Sequence, residues 1–223
     1  MNNCYFGSNS NLYKIIKNKE DKMDIQKAII SFEKNGYQVK FFQTPEEAAS
    51  YLNVEIHQTT VGLGDSQTLL SMKLYEKLSL HNQVFDPQHC PHDKSFVDVG
   101  KRCLQTDVFI TSVNGASETG VLINIDARGN RVAGSLFGHK KVFFVFGINK
   151  IVPSLEEAIW RARNIAAPQN AKRHGYKTPC ALKADKCYDC SSPERICNLL
   201  AVHYKKMKGT EVELIIINKS LGY

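Results

Sequence analysis

Val142-Phe143-Phe144-Val145-Phe146 runs five residues without a polar side chain. A strand with one wet face alternates apolar and polar residues, so an unbroken run of β-branched and aromatic side chains implies a strand covered on both faces. Such a strand sits at the centre of an α/β sheet, with helices above and below it.

The chain on either side supplies those helices. Upstream, residues 23–34 carry apolar side chains at helical spacing, and Asn35-Gly36 stops them in the manner of a left-handed cap. A strand follows at 38–42, then Thr44-Pro45-Glu46-Glu47 opens a second helix, with Thr44 as cap, Pro45 at the first helical position and Glu47 closing a capping box. Residues 59–62 form a short strand that runs through Gly62-Leu63-Gly64-Asp65-Ser66-Gln67-Thr68 into a helix marked by Leu69, Leu70, Leu74, Tyr75 and Leu78. Val84-Phe85 reads as a strand, 96–104 as a helix and 108–112 as a buried strand. Residues 121–125 and 131–136 flank Ala127-Arg128-Gly129-Asn130, which predicts a β-hairpin and hence some antiparallel pairing.

Downstream, Ser154 and Glu157 predict a capping box that opens a helix through Trp160 and Ala166. The hydrophobic pattern lapses at 167–191, Ser192-Pro193-Glu194 predicts a helix toward Tyr204, and 212–217 closes the chain as a strand. The alternation predicts a three-layer α/β fold around a mixed, mostly parallel sheet. Residues 1–22 read as an N-terminal extension and 23–223 as a single domain carrying a cysteine-rich segment at 178–197.

The 223 residues are 43% hydrophobic and 23% charged, as in an ordinary soluble globular protein. The formal net charge is +7, but basic residues are spread along the chain, and pairs such as Lys172-Arg173 read as solvated faces, which argues against nucleic-acid binding. No stretch is apolar enough to span a bilayer, and the first residues lack the order of a secretory signal, so a cytoplasmic home is expected. Thiols stay reduced there, which favours metal ligation over disulfides.

Cys180, Cys187, Cys190 and Cys197 are separated by six, two and six residues. Two cysteines with two residues between them turn both sulfurs toward one centre, and the outer pair completes a tetrahedral zinc site or an iron–sulfur cluster. The plainer alternative is a set of reduced thiols on a surface loop. His89-Cys90-Pro91-His92-Asp93 is also dense in ligand types.

Three loops leave strands with side chains suited to chemistry. Gly62, Gly64, Asp65, Ser66 and Thr68 stand between a strand and a helix, where glycines let a backbone approach a ligand and helix N–H groups face an anion. The same loop also reads as a tight turn capped by Ser66 or Asp65, and the Asp65 carboxylate would repel a phosphate. Thr111-Ser112-Val113-Asn114-Gly115-Ala116-Ser117-Glu118-Thr119-Gly120 offers Glu118 as a general base or carboxylate nucleophile, against the commoner fate of an exposed glutamate. Gly147-Ile148-Asn149-Lys150 leaves the central strand, where Lys150 would meet an anionic substrate or simply face water.

Taken in order, Gly62 to Thr68, Thr111 to Gly120, Asn124-Ile125-Asp126, Gly129-Asn130-Arg131-Val132, Gly138-His139-Lys140-Lys141, Gly147-Ile148-Asn149-Lys150 and Ala166-Ala167-Pro168 resemble the lactate-utilization domain family. The resemblance implies a fold similar to those of glucosamine-phosphate deaminase, ribose-phosphate isomerase and the coenzyme A transferases. It implies work beside iron–sulfur partner subunits that oxidise lactate, with a small hydroxy- or keto-acid bound among Gly62, Gly64, Asp65, Ser66, Thr68, Asn114, Thr119, Gly120, Asn149 and Lys150, and with Lys150 or Arg131 pairing its carboxylate. Two alternatives are a stand-alone isomerase- or transferase-like enzyme that uses Glu118, and a module whose four cysteines hold zinc or an iron–sulfur cluster.

Overall fold

The computed structural model describes residues 24–223, so the 1–22 extension and Cys4 lie outside the described residues. Six strands form one wholly parallel sheet: β1 (Gln38–Phe42), β2 (Thr60–Leu63), β3 (Gln83–Phe85), β4 (Val108–Thr111), β7 (Lys141–Gly147) and β10 (Glu211–Ile217), in the order β1-β10-β7-β4-β2-β3. The apolar run at 142–146 lies inside β7, between β10 and β4, as its composition requires. Val142, Phe144 and Phe146 join the core on one face, and Phe143 and Val145 join the core on the other. Each is at most 1% exposed, and such burial contributes about 2 kcal/mol per side chain.

Helices cover both faces and make the three layers. On one face lie α1 (Ile25–Lys34) and α5 (Phe96–Cys103), with Ala28, Phe32, Val99 and Cys103 turned inward. On the other lie α2 (Pro45–Glu55), α3 (Gln67–Ser71) and α4 (Leu74–Leu78), which contribute Leu52, Leu69, Leu74 and Leu78. The capping box at Thr44 and Glu47 is present in both halves. The helix expected across 69–78 is broken between α3 and α4, where Lys73 takes a left-handed backbone with φ of 52°.

The mixed pairing is confined to a second sheet of β8 (Ile151–Val152), β5 (Gly115–Ser117), β6 (Leu122–Asp126) and β9 (Leu199–His203). Its inner face adds Ala116, Leu122 and Ile151 to the α1 and α5 core. Its outer face packs against a long helical stretch: α7 (Leu155–Arg161), one π turn at Ala162–Ala166, and α8 (Ala167–Arg173). In a straight helix the Pro168 ring would press on the carbonyl four residues earlier, and the wider π turn relieves that clash.

Three further expectations are corrected. The hairpin predicted across 127–130 is a strand followed by α6 (Asn130–Leu136), because the Asp126 carboxylate accepts the N–H groups of Arg131 (3.0 Å) and Val132 (3.1 Å) and so starts a helix. The helix predicted from Ser192 is instead loop and then β9, which supplies the antiparallel partner that β6 needs on its open side. The helix expected to end near Ala166 continues to Arg173.

Candidate functional site

The carboxyl ends of β2, β4 and β7 converge where a parallel sheet leaves its crevice. After β7 a single tight turn, Ile148–Lys150, carries the Lys150 side chain back under the sheet edge, where it is 4% exposed. Its Nζ donates to Ser112 Oγ at 2.9 Å and to Thr68 Oγ1 at 3.3 Å. Among the described residues no carboxylate stands within ion-pair distance of it. Burial, with the Arg161 and Arg131 charges nearby, pushes this amine down to about 7.

Arg161, also buried, binds the same region together from α7. Its guanidinium donates to the main-chain oxygens of Asn149 (3.0 Å), Asn114 (2.6 Å) and Tyr223 (3.2 Å), and burial pushes it down to about 10. It has no Asp or Glu partner among the described residues. Two buried cations thus share one neighbourhood with no Asp or Glu paired to either among the described residues, an arrangement that favours an incoming anion.

Lys150, Thr68, Ser112 and Asn114 line an inner hollow of about 40 Å³ together with Ser66, Asn170 and Arg173. Asp65, Asn114, Arg131 and Asn170 also line a wider chamber of about 310 Å³, whose remaining wall includes Phe96, Arg128, His174, Tyr176 and Ile196. The helical stretch from the end of the π turn through α8 faces this space at helical spacing with Ala166, Ala167, Asn170 and, just past its end, His174. Asp65 does not repel an anion alone, because Arg173 Nη2 lies 3.7 Å from its carboxylate and Gln88 donates to it. Arg131 is paired with Asp126 at 3.6 Å.

The structure brings together Asp65, Ser66, Thr68, Asn114, Arg131 and Lys150 of the residues expected at the site. It takes others elsewhere. The Glu118 carboxylate accepts Asp24 N–H (3.1 Å) and Lys27 Nζ (3.1 Å), capping the start of α1. Thr119 and Gly120 receive the Asn35 side chain at the other end of that helix, and a Cβ on Gly120 would lie 2.6 Å from Ser31 O. Asn149 accepts Leu221 N–H through Oδ1 at 3.1 Å, and Gly62 packs on Cys103. Gly64 lies against Thr111 and Arg131, where a Cβ would meet Thr111 Oγ1 at 2.7 Å.

Ser112, Arg161, Asn170 and Arg173 were not singled out from sequence. Arg161 left one signal, a charge beside Ala158 and Ala162 on the apolar stripe of its helix. Arg173, read as a solvated face, closes the hollow beside Asp65 instead.

The four cysteines of 178–197 are free thiols, each partly buried, and all line one recess with Arg163 and Arg195. Among the described residues no three His, Cys, Asp or Glu side chains are placed to share a metal ion. His89 is turned to Asp86 (2.7 Å) and stacked on Tyr75, while Cys90 donates to Lys94 O. No helix among the described residues is long and apolar enough to cross a membrane.

A family model described as the LUD domain matches residues 25–217. Among solved structures the chain is similar to a duf162 family protein from Deinococcus radiodurans, at 13% identity, over 87% of this chain and 99% of that one, with a TM-score of 0.47. No curated protein matches it.

Proposed function

The chain belongs to the LUD domain family, and from that premise we propose that it binds a small anionic hydroxy- or keto-acid by its carboxylate and serves an iron–sulfur system that oxidises lactate. The observation that carries this reading is the buried Lys150 amine, held by two hydroxyls and by no acid among the described residues, at the inner end of an open cavity.

The carboxylate enters the inner hollow and takes the place of the missing counter-ion. Ser112 and Thr68 accept from Lys150 Nζ, and their own protons point at Thr68 Oγ1 and Leu221 O over long contacts of 3.5 Å each, which an entering carboxylate oxygen replaces. The arriving negative charge favours the ammonium form, so binding near neutral pH draws a proton onto Nζ. Arg161 fixes the turns at Asn114 and Asn149 around that point. The rest of the acid extends past Asn114 and Asn170 into the outer chamber, from which it is presented to iron–sulfur partner subunits. Glu118 plays no part, because its two oxygens hold α1.

Calorimetric titration with lactate, pyruvate and longer 2-hydroxy acids tests the reading. Saturable binding that Lys150→Met abolishes is expected. Absence of binding by every acid tried, with no rise in melting temperature, would overturn it.

A further inference from the structure

Residues 184–198 form neither helix nor strand, and no side chain from Leu182 to Val202 is buried. Fifteen residues of defined path without a core of their own lack the apolar burial that normally offsets chain entropy. Two non-glycine residues in this stretch, Ala184 (φ 54°) and Asp189 (φ 48°), even hold left-handed backbone. Something other than packing must hold the segment.

Asn198 ties the far end to the main-chain oxygens of Asp126 and Ala127 (3.1 Å each), and other polar contacts fall on the cysteines. Asp189 N–H points at Cys187 Sγ (3.4 Å), as does Arg163 Nη2 (3.7 Å), so two donors face that sulfur. The Cys187 N–H is itself fixed by Asn164 Oδ1 at 3.1 Å. Arg195 spans the other turns, donating to Cys190 O (2.7 Å) and Cys197 O (2.9 Å). All four thiols line one recess, and four cysteine ligands are a set that closes a tetrahedral Zn²⁺.

We propose that Cys180, Cys187, Cys190 and Cys197 bind one structural Zn²⁺ ion that fixes the outer wall of the acid-binding cavity. Four thiolates around Zn²⁺ leave a net charge of −2, which Arg195 and Arg163 at the recess offset in part, Arg163 being also paired with Asp189 at 2.8 Å. Four protein ligands fill a tetrahedral ion and leave no open position, so the site is structural. The sulfurs as placed do not yet converge on one point, and the segment draws inward as the ion binds, metal binding and local ordering being one event. Ala167 and Ile196 line both the recess and the outer chamber, so the ion sets the position of that shared wall.

The test is elemental analysis of the full chain, purified anaerobically without chelator, beside the Cys187→Ser/Cys190→Ser variant. One zinc per wild-type chain is expected, falling at least tenfold in the variant, with chelation lowering the melting temperature of the wild type. Wild-type protein free of metal, iron with acid-labile sulfide, or zinc unaffected by the substitutions would overturn the proposal. Should the variant fail to fold, cobalt loading of the wild type decides. Intense thiolate-to-cobalt bands support the site, and the pale spectrum of an oxygen-ligated ion contradicts it. None of these readouts depends on whether any acid binds.

Discussion

Lys150 Nζ lies 2.9 Å from Ser112 Oγ at the end of the central strand, and the hydroxyl is the nearest thing the amine has to a counter-charge among the described residues. The folded chain therefore carries a buried amine pushed from 10.5 down to about 7.

That shift makes stability depend on pH with a definite sign. Below about 7 the folded chain must bury an ammonium ion, and between about 7 and 10.5 the unfolded chain binds a proton that the folded chain does not. The Lys150 penalty is thus full at low pH and is relieved as pH rises through that window. Lys150→Met is expected to stabilise the ligand-free protein by about 2 kcal/mol near pH 6 and by progressively less toward pH 10, as read by denaturant titration. An equal effect at every pH would contradict this.

Glu118→Gln is expected to cost about 1 kcal/mol, through a weaker cap on α1 and the lost pairing with Lys27, while leaving acid binding unchanged. Thermal unfolding and titration of the same sample check both halves. Loss of binding with full stability would return Glu118 to the site.

The outer chamber of about 310 Å³, with Phe96, Tyr176 and Ile196 on its wall, is larger than a three-carbon acid needs. Phenyllactate is expected to bind at least about tenfold more tightly than lactate, since burying a phenyl group is worth roughly 1.5–3 kcal/mol. Competition calorimetry reads the ratio, and equal affinities would show that the tail stays in water.

Gly62→Ala is expected to destabilise the fold by about 2 kcal/mol or more, because its Cβ would come within 2.6 Å of Cys103 O and 2.9 Å of Thr106 Oγ1. Among these contacts the backbone oxygen cannot step aside. Urea titration at constant slope measures the loss, and an unchanged midpoint would refute the close approach.

Periodicity and capping carried most of the fold. The apolar run at 142–146, the Thr44 capping box and the strand at 212–217 were legible because each reports its own local environment. The region 127–136 misled because Gly129-Asn130 suits a hairpin turn as well as a helix start, and what decides between them is the Asp126 carboxylate reaching forward to Arg131 and Val132. Residues 199–203 became a strand because β6 offered an open edge, a tertiary fact absent from their own composition.

At the site, Thr68, Asn114 and Lys150 were legible as residues at the ends of strands. Glu118 was not, since only the fold brings α1 over its loop. Arg161 and Asn170 reach the cavity region through the turn of one helix, and loop motifs carry no trace of that.

The central claim is that a carboxylate completes Lys150. Calorimetry of acid binding at about pH 8, repeated in buffers of different ionisation enthalpy, counts the protons taken up on binding. The account predicts uptake approaching one proton per site in the wild type and no binding in Lys150→Met. Binding without proton uptake, at equal affinity in the two proteins, would contradict it.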